Sequence, residues 1–333
     1  MSHYPLVHNL FDEDVVKEPI RAGFGRGLLA AGEANEAVVA LCADLTDSTQ
    51  MTKFKDAFPE RFVEVGVAEQ NLVTVASGMA RMGKIPFTSS YAAFSPGRNW
   101  EQIRTTACLN EQPVKIVGSH AGISVGPDGA THQMLEDIAL MRVLPHMVVV
   151  APGDSVEAEK ATRLLAENGK PSYIRLAREK TPVFSTDDSP FEIGKAYILR
   201  EGNDVSLLGT GTMTYQLLEA AKLLAEQHGI NAEVVHVPTI KPLDEATILH
   251  SIAKTGRVVT AEEAQVAGGF GSAVAELLSE KKPTPLKRIG MYDRFGESGA
   301  PDELLDHFGL TGTHIAETVK DYVQTTPQYH QDY

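Results

Sequence analysis

Along the first half of the chain, runs of consecutive apolar residues alternate with stretches in which apolar positions recur every three or four residues. The runs at 37–43 (AVVALCA), 62–67, 85–89, 114–119, 147–151 (MVVVA) and 172–176 predict strands. The periodic stretches at 19–32, 69–82, 98–109, 133–142 and 155–167 predict helices. Strands that are apolar without interruption are buried on both faces, which belongs to parallel sheets covered by helices on each side. The alternation therefore predicts a doubly wound α/β domain.

The pattern breaks at 179–194, EKTPVFSTDDSPFEIG, where two prolines and a polar cluster read as a linker. Beyond it the alternation restarts, with strands predicted at 205–208, 233–237, 257–261 and 286–291 and helices at 215–227, 244–254 and 271–280. A second, smaller α/β domain follows, so that residues 1–186 and 187–333 form the two domains. The polar stretch after Tyr322, VQTTPQYHQDY, reads as a mobile tail. No internal repeat occurs at solenoid spacing.

Composition narrows the function. A length of 333 residues with 43% hydrophobic residues suits two cored domains. The formal net charge of −14 argues against nucleic acid and anionic membranes as partners, since phosphate surfaces need clustered Lys and Arg. Small anions remain open, because a few local cations outweigh the global sign. Cys42 and Cys108 are too few for a disulfide framework or a structural zinc site. The opening MSHYPLVHNLFDED lacks a signal-peptide pattern and no apolar run is long enough to span a membrane, so a soluble cytoplasmic protein is expected.

Candidate chemistry gathers where predicted strands end. Glu69 falls in the first turn of a helix opening near Ala68, beyond a strand's carboxyl end, where open α/β sheets bind ligands. A glutamate there also simply offsets the helix dipole. Leu72, Val73, Ala76, Met79 and Ala80 share one helix face, and Ser77 and Gly78 are small enough for close packing against the sheet. Tyr91 and Phe94, in YAAFSPGR, lie in a turn and serve either packing or ring stacking. Arg98 in the same turn receives no role. Asp44, in CADLTDST, reads on its own as an ordinary strand-end aspartate capping the next helix.

The segment SHAGISVGPDGATHQ is a long glycine-containing loop between a strand and a helix, a type that tends to be functional. Its able residues are His120, Asp128 and His132, and histidine transfers protons near neutral pH. Two histidines and a carboxylate can also hold iron or zinc, but these spacings match no common ligand motif, and no metal site is expected. Arg178, in YIRLAREK, reads on its own as a surface arginine at a strand end. The glycine strings GFGRG, GTGTM and AGGFGSA lack the full context of a dinucleotide loop. The last sits between a strand and a helix, where it serves close packing or anion binding.

Three strings together resemble a known family. GVAEQN at 66–71 after FPERF, HAG with GPDGATHQ, and AGGFGSAVAE resemble segments of transketolases and deoxyxylulose-phosphate synthases, which use thiamine diphosphate. The resemblance covers about residues 18–322 and implies the pyrimidine-binding and C-terminal domains of that family. It implies that Glu69 hydrogen-bonds N1′ of the cofactor's aminopyrimidine, that Phe94, or less well Tyr91, stacks on that ring, and that Asp44 lies at the cofactor. It further implies that His120 and His132 contact substrate hydroxyls and assist proton transfer. Asp128 would then read sugar configuration and Arg178 would grip the substrate phosphate.

The family's diphosphate-binding domain carries a GDG-then-Asn pattern for Mg²⁺, and no GDG occurs here. The resemblance therefore implies an N-terminal partner subunit holding Mg²⁺ and the diphosphate, in an α2β2 assembly that transfers a two-carbon ketol unit between sugar phosphates. Deoxyxylulose-phosphate synthase-like and 2-oxo acid dehydrogenase β-like subunits are the alternatives, as is a transketolase for unusual sugar phosphates or sulfonates. An NAD-dependent dehydrogenase lacks its fingerprint here, and a non-catalytic subunit fits poorly with Glu69, His120, Asp128 and His132 all present.

Overall fold

The computed structural model describes residues 4–329. Its first half contains strands β1 (Lys17–Pro19), β2 (Val38–Cys42), β3 (Phe62–Glu64), β4 (Ile85–Tyr91), β5 (Lys115–Ser119), β6 (Val148–Val150), β7 (Ser172–Arg175) and β8 (Lys180–Pro182). Between them run helices α1 (Ile20–Ala34), α2 (Thr52–Ala57), α3 (Glu69–Arg81), α4 (Trp100–Gln102), α5 (Asp137–Arg142) and α6 (Ser155–Glu167). The second half adds β9 (Tyr197–Arg200), β10 (Val205–Gly209), β11 (Ala232–His236), β12 (Thr239–Lys241), β13 (Val258–Gln265) and β14 (Leu286–Met291). Its helices are α7 (Met213–His228), α8 (Glu245–Thr255), α9 (Phe270–Lys281), α10 (Pro301–His307) and α11 (Gly312–Thr325).

Seven strands form the first sheet in the order β12-β6-β7-β5-β4-β2-β3, parallel except for β12 at one edge. Alternate residues of β2 feed two different cores. Val39 and Leu41 pack with Leu72, Val73 and Ala76 of α3, while Val38, Ala40 and Cys42 pack with Phe24 and Leu28 of α1. That is the double burial expected of unbroken apolar strands. The second sheet runs β14-β13-β10-β11-β9, with β9 antiparallel. β12 leaves its own domain to extend the first sheet, which ties the two halves together.

GFGRG lies inside α1, where a Cβ on Gly23 would strike the Ser155 carbonyl and one on Gly27 the Glu159 carbonyl of α6. The string is a helix–helix contact, which accounts for its failure as a phosphate loop. Among the described residues no helix is long and apolar enough to cross a membrane.

Several boundaries differ from the sequence expectation for identifiable reasons. The strand expected at 62–67 stops at Glu64, whose carboxylate accepts from the backbone N–H of Asp44 (2.7 Å) and Gly66 (2.9 Å) and turns the chain. The helix expected at 98–109 begins at Trp100 and loosens into a π turn at Ile103–Cys108. There Thr105 and Thr106 donate back to the carbonyls of Glu101 and Gln102. Residues 133–136 precede α5 rather than joining it, because Gln133 is drawn away to the carbonyls of Ile123 and Glu297. Gly78 is exposed with nothing near its would-be Cβ, so it does not serve packing against the sheet. The linker contains β8, paired with β1, and the tail continues as α11. The Tyr329 amide donates to the Gly256 carbonyl (2.9 Å), so the tail is anchored as far as that residue. Residues 330–333 of the tail, like 1–3 of the opening segment, lie outside the described residues.

Candidate functional site

Five strand ends on the carboxyl edge of the first sheet carry the candidate residues. They follow β7 (Arg178), β5 (His120), β4 (Tyr91), β2 (Asp44) and β3 (Glu69) in spatial order. A parallel sheet places all its loops of one kind on one edge, which is why residues 44 to 178 meet there.

Glu69 opens α3 and is only 1% exposed. One carboxylate oxygen accepts from the Ser90 hydroxyl (3.2 Å) and the other from Arg98 Nη1 (2.7 Å). The turn after β4 folds over this helix start, since Asn99 Nδ2 donates to the Glu69 carbonyl (2.8 Å) and to Ser95 Oγ (3.2 Å). Arg98 is half exposed, and its guanidinium lies 4.8 Å from the centroid of the half-buried Phe94 ring.

Rings continue the site. Tyr91 stacks on His120 with centroids 3.8 Å apart, and His132 stands edge-on to Phe94 (5.4 Å) and Tyr91 (6.2 Å). His120 is 2% exposed, with Nδ1 2.8 Å from Ser119 Oγ. Burial pushes its pKa down to about 3, helped by Arg21, Arg178 and His132, so the imidazole stays neutral at physiological pH. His132 is half buried, and its Nδ1 faces Thr131 Oγ1 (2.9 Å).

The loop bearing Asp128 and His132 turns on Gly122, Gly126 and Gly129, all at positive φ. Arg178 grips it, donating from Nη1 to the Val125 carbonyl (2.7 Å) and lying 3.7 Å from the Asp128 carboxylate. Glu69, Tyr91, Phe94, His120 and His132 thus form one connected cluster, with Asp128 and Arg178 beside it. Asp44 shares the edge but is tied through its backbone N–H to Glu64, and its exposed carboxylate engages no partner among the described residues.

Sequence reasoning gave no role to Arg98 and overlooked Ser90 and Arg21. Arg21 donates from Nε to the Arg178 carbonyl (3.4 Å) and from Nη1 to the Ser48 carbonyl. A signal for it existed: Arg21 stands in the first turn of α1, where the helix dipole disfavours a cation. An arginine kept there is held for something else.

The residues present suit an aminopyrimidine. A buried carboxylate reached by side-chain donors alone can accept a ring N–H, and the neighbouring Phe94 can stack on a flat heterocycle.

Residues 17–183 match the family model of the transketolase pyrimidine-binding domain, and residues 194–315 that of the transketolase C-terminal domain. The chain is 45% identical to a protein of Methanocaldococcus jannaschii assigned as a transketolase C-terminal section, over 92% of this chain and 96% of that one. It is 44% identical to the 6-deoxy-6-sulfo-D-fructose transketolase subunit of Clostridium sp., over 89% of this chain and 92% of that protein. Among solved structures, a split-gene transketolase in an inactive β4 tetramer superposes with a TM-score of 0.84 and 43% identity, covering 93% of this chain and 99% of that chain. With both family models matched in order along its length, the chain belongs to the transketolase family, as a C-terminal-section subunit of a thiamine diphosphate-dependent transketolase.

Proposed function

We propose that this chain works in the cytoplasm with an N-terminal subunit, in an α2β2 enzyme that moves a two-carbon ketol unit between sugar phosphates. The partner holds Mg²⁺ and the cofactor diphosphate, and this chain holds the pyrimidine end. Thiamine diphosphate, when bound, would supply the thiazolium chemistry that carries the two-carbon unit. Glu69 would hold the pyrimidine end of the cofactor by a hydrogen bond at N1′. Phe94 takes the stacking role. Tyr91 is engaged against His120, which supports Phe94 over Tyr91 for that contact. Asp44 closes the cofactor edge.

His120, held neutral, donates to or accepts from a substrate hydroxyl, and His132 serves the opposite proton transfer. Asp128 bonds a sugar hydroxyl. Arg178 grips the terminal anion and Arg21 adds positive potential beside it. The observation that carries the reading is the buried Glu69 carboxylate, held by side-chain donors, whose partner Arg98 lies over the Phe94 ring that in turn meets His132.

The test is reconstitution. The purified chain is mixed with its N-terminal partner, Mg²⁺ and thiamine diphosphate, and transfer from xylulose 5-phosphate to ribose 5-phosphate is followed, with the chain alone as control. Activity only in the mixture is expected. A cofactor-loaded complex that fails on every sugar phosphate would overturn the reading. The sulfosugar-named relative favours a second reading, in which a 6-deoxy-6-sulfoketose is the donor and Arg178 binds sulfonate.

A further inference from the structure

The substrate loop is gripped from the second domain by one buried carboxylate. Glu263 of β13 is 2% exposed. Its Oε1 accepts from the Ser124 backbone N–H (2.6 Å) and its Oε2 from Thr212 Oγ1 (2.7 Å), just before α7. Arg175 fixes the backbone beneath it, donating from Nη2 to the Glu263 carbonyl (2.8 Å) while paired with Asp137 (2.8 Å). Gly122 leaves the room required, since a Cβ there would run into the Glu263 carboxylate.

No strand pairing holds residues 123–132, whose first half is a 3-10 turn broken at Gly126, and Gln133 Nε2 donates to the carbonyls of Ile123 (3.1 Å) and Gly126 (3.4 Å). Ser124 borders a surface cleft of about 680 Å³ together with Thr212, Glu263 and Pro301, which leaves room beside Ser124 once its tether is cut. Arg178 pulls on the next carbonyl, that of Val125, from the first domain. Opposed tethers on adjacent residues define the loop's position as neither could alone.

We propose that Glu263 is a positioning residue that couples the C-terminal domain to substrate recognition, by fixing the loop that presents Asp128 and His132. Its catalytic consequence rests on the function proposed above, but the tether itself does not.

Two variants separate positioning from mere domain packing. Glu263→Gln keeps an acceptor for Ser124, and Glu263→Leu keeps similar bulk without one. In the isolated chain, amide hydrogen exchange across residues 121–133 should quicken about tenfold or more in Glu263→Leu and stay near wild type in Glu263→Gln. In the reconstituted enzyme, Glu263→Leu should raise the donor KM about tenfold, with a smaller fall in kcat and unchanged thiamine diphosphate affinity. Unchanged loop exchange, an unchanged KM in an active enzyme, or a Glu263→Gln variant as impaired as Glu263→Leu would each overturn the proposal. Should Glu263→Leu not fold, Thr212→Val removes the carboxylate's second partner, and loop exchange unaffected by it would overturn the tether. A wild-type complex without ketol transfer, together with the expected exchange pattern, would sink the functional reading and leave the tether standing.

Discussion

Glu69 and Glu262 are both buried, at 1% and 0% exposure; Glu69 opens helix α3, and Glu262 lies within β13 with its carboxylate at the N-terminus of α9. Their partners differ in kind. Glu69 is held by a hydroxyl and a guanidinium, Ser90 and Arg98, and Arg98 is half exposed. Glu262 is held by the backbone N–H groups of Phe270 (2.7 Å) and Gly271 (2.8 Å), the first turn of α9. A side chain can rotate aside for a ligand, whereas a backbone donor cannot leave without unwinding its helix. Glu262 is thus an internal occupant of an anion site that the AGGFGSA string builds, and Gly269 is required because a Cβ there would strike this carboxylate. Residue type and burial are the same for both, so the proposed role of Glu69 predicts that the exchangeability of its donors is what separates a working carboxylate from a structural one.

The largest effect expected from this contrast is a crossed pair of phenotypes. Glu69→Gln should lower turnover of the assembled enzyme at least about 100-fold, while leaving the chain's stability close to wild type. Glu262→Ala should do the reverse. It strands two helix N–H groups in a buried setting, each costing about 1–3 kcal/mol, while the folded fraction keeps its turnover. Denaturant titration of the isolated chain and turnover of the reconstituted enzyme read the two effects. A Glu262→Ala variant that keeps full stability but loses turnover would break the contrast.

Much of this was legible in the sequence, and the residues show why. Unbroken runs such as AVVALCA announce parallel strands because burial on both faces removes polar alternation, and the parallel strands of both larger sheets follow from that, whereas antiparallel β9 does not. That Glu69, His120 and His132 meet at one sheet edge was legible because their strings are distinctive and sit where strands end. The edge strand β12 was not, because Thr239–Lys241 is three residues long and pairs across the domain boundary, which no local pattern records. Arg98 was unreadable for a similar reason: its partner lies 29 positions away, brought close only by the turn after β4. The linker hid β8 because two prolines and a polar cluster mask a strand whose partner, β1, lies at the other end of the domain.

A subtler test uses pH. Burial pushes the Glu262 pKa up to about 7 from an ordinary value of 4.5, against the opposing pull of the two amides and of Arg175 and Arg288. Between those values the folded chain holds a proton that the unfolded chain has lost. Glu262 therefore makes stability fall as pH rises from about 4.5 to about 7, with no further change above that. Glu262→Gln, which keeps an acceptor for the α9 amides and cannot ionise, should remove this component. Stability curves for wild type and variant should converge toward pH 4.5 and separate toward pH 7, with the variant the more stable. Parallel curves across that window would mean that the backbone donors keep Glu262 ionised, and that it is locked more tightly than its burial suggests.

The smallest effect tests exchangeability itself. Arg98 contributes a charge at Glu69 and a flat guanidinium over Phe94. Arg98→Lys keeps the charge and loses the flat, forked geometry. If Arg98 is a partner that yields to the cofactor, the lysine should cost only about two- to fivefold in kcat/KM, roughly 0.4–1 kcal/mol. The apparent affinity for thiamine diphosphate should stay level or improve slightly, because a weaker competitor is easier to displace from Glu69. A loss approaching that of Glu69→Gln would mean that the arginine stays in contact with Glu69 through turnover. The difference between the two glutamates would then lie in what surrounds them and no longer in whether their donors can leave.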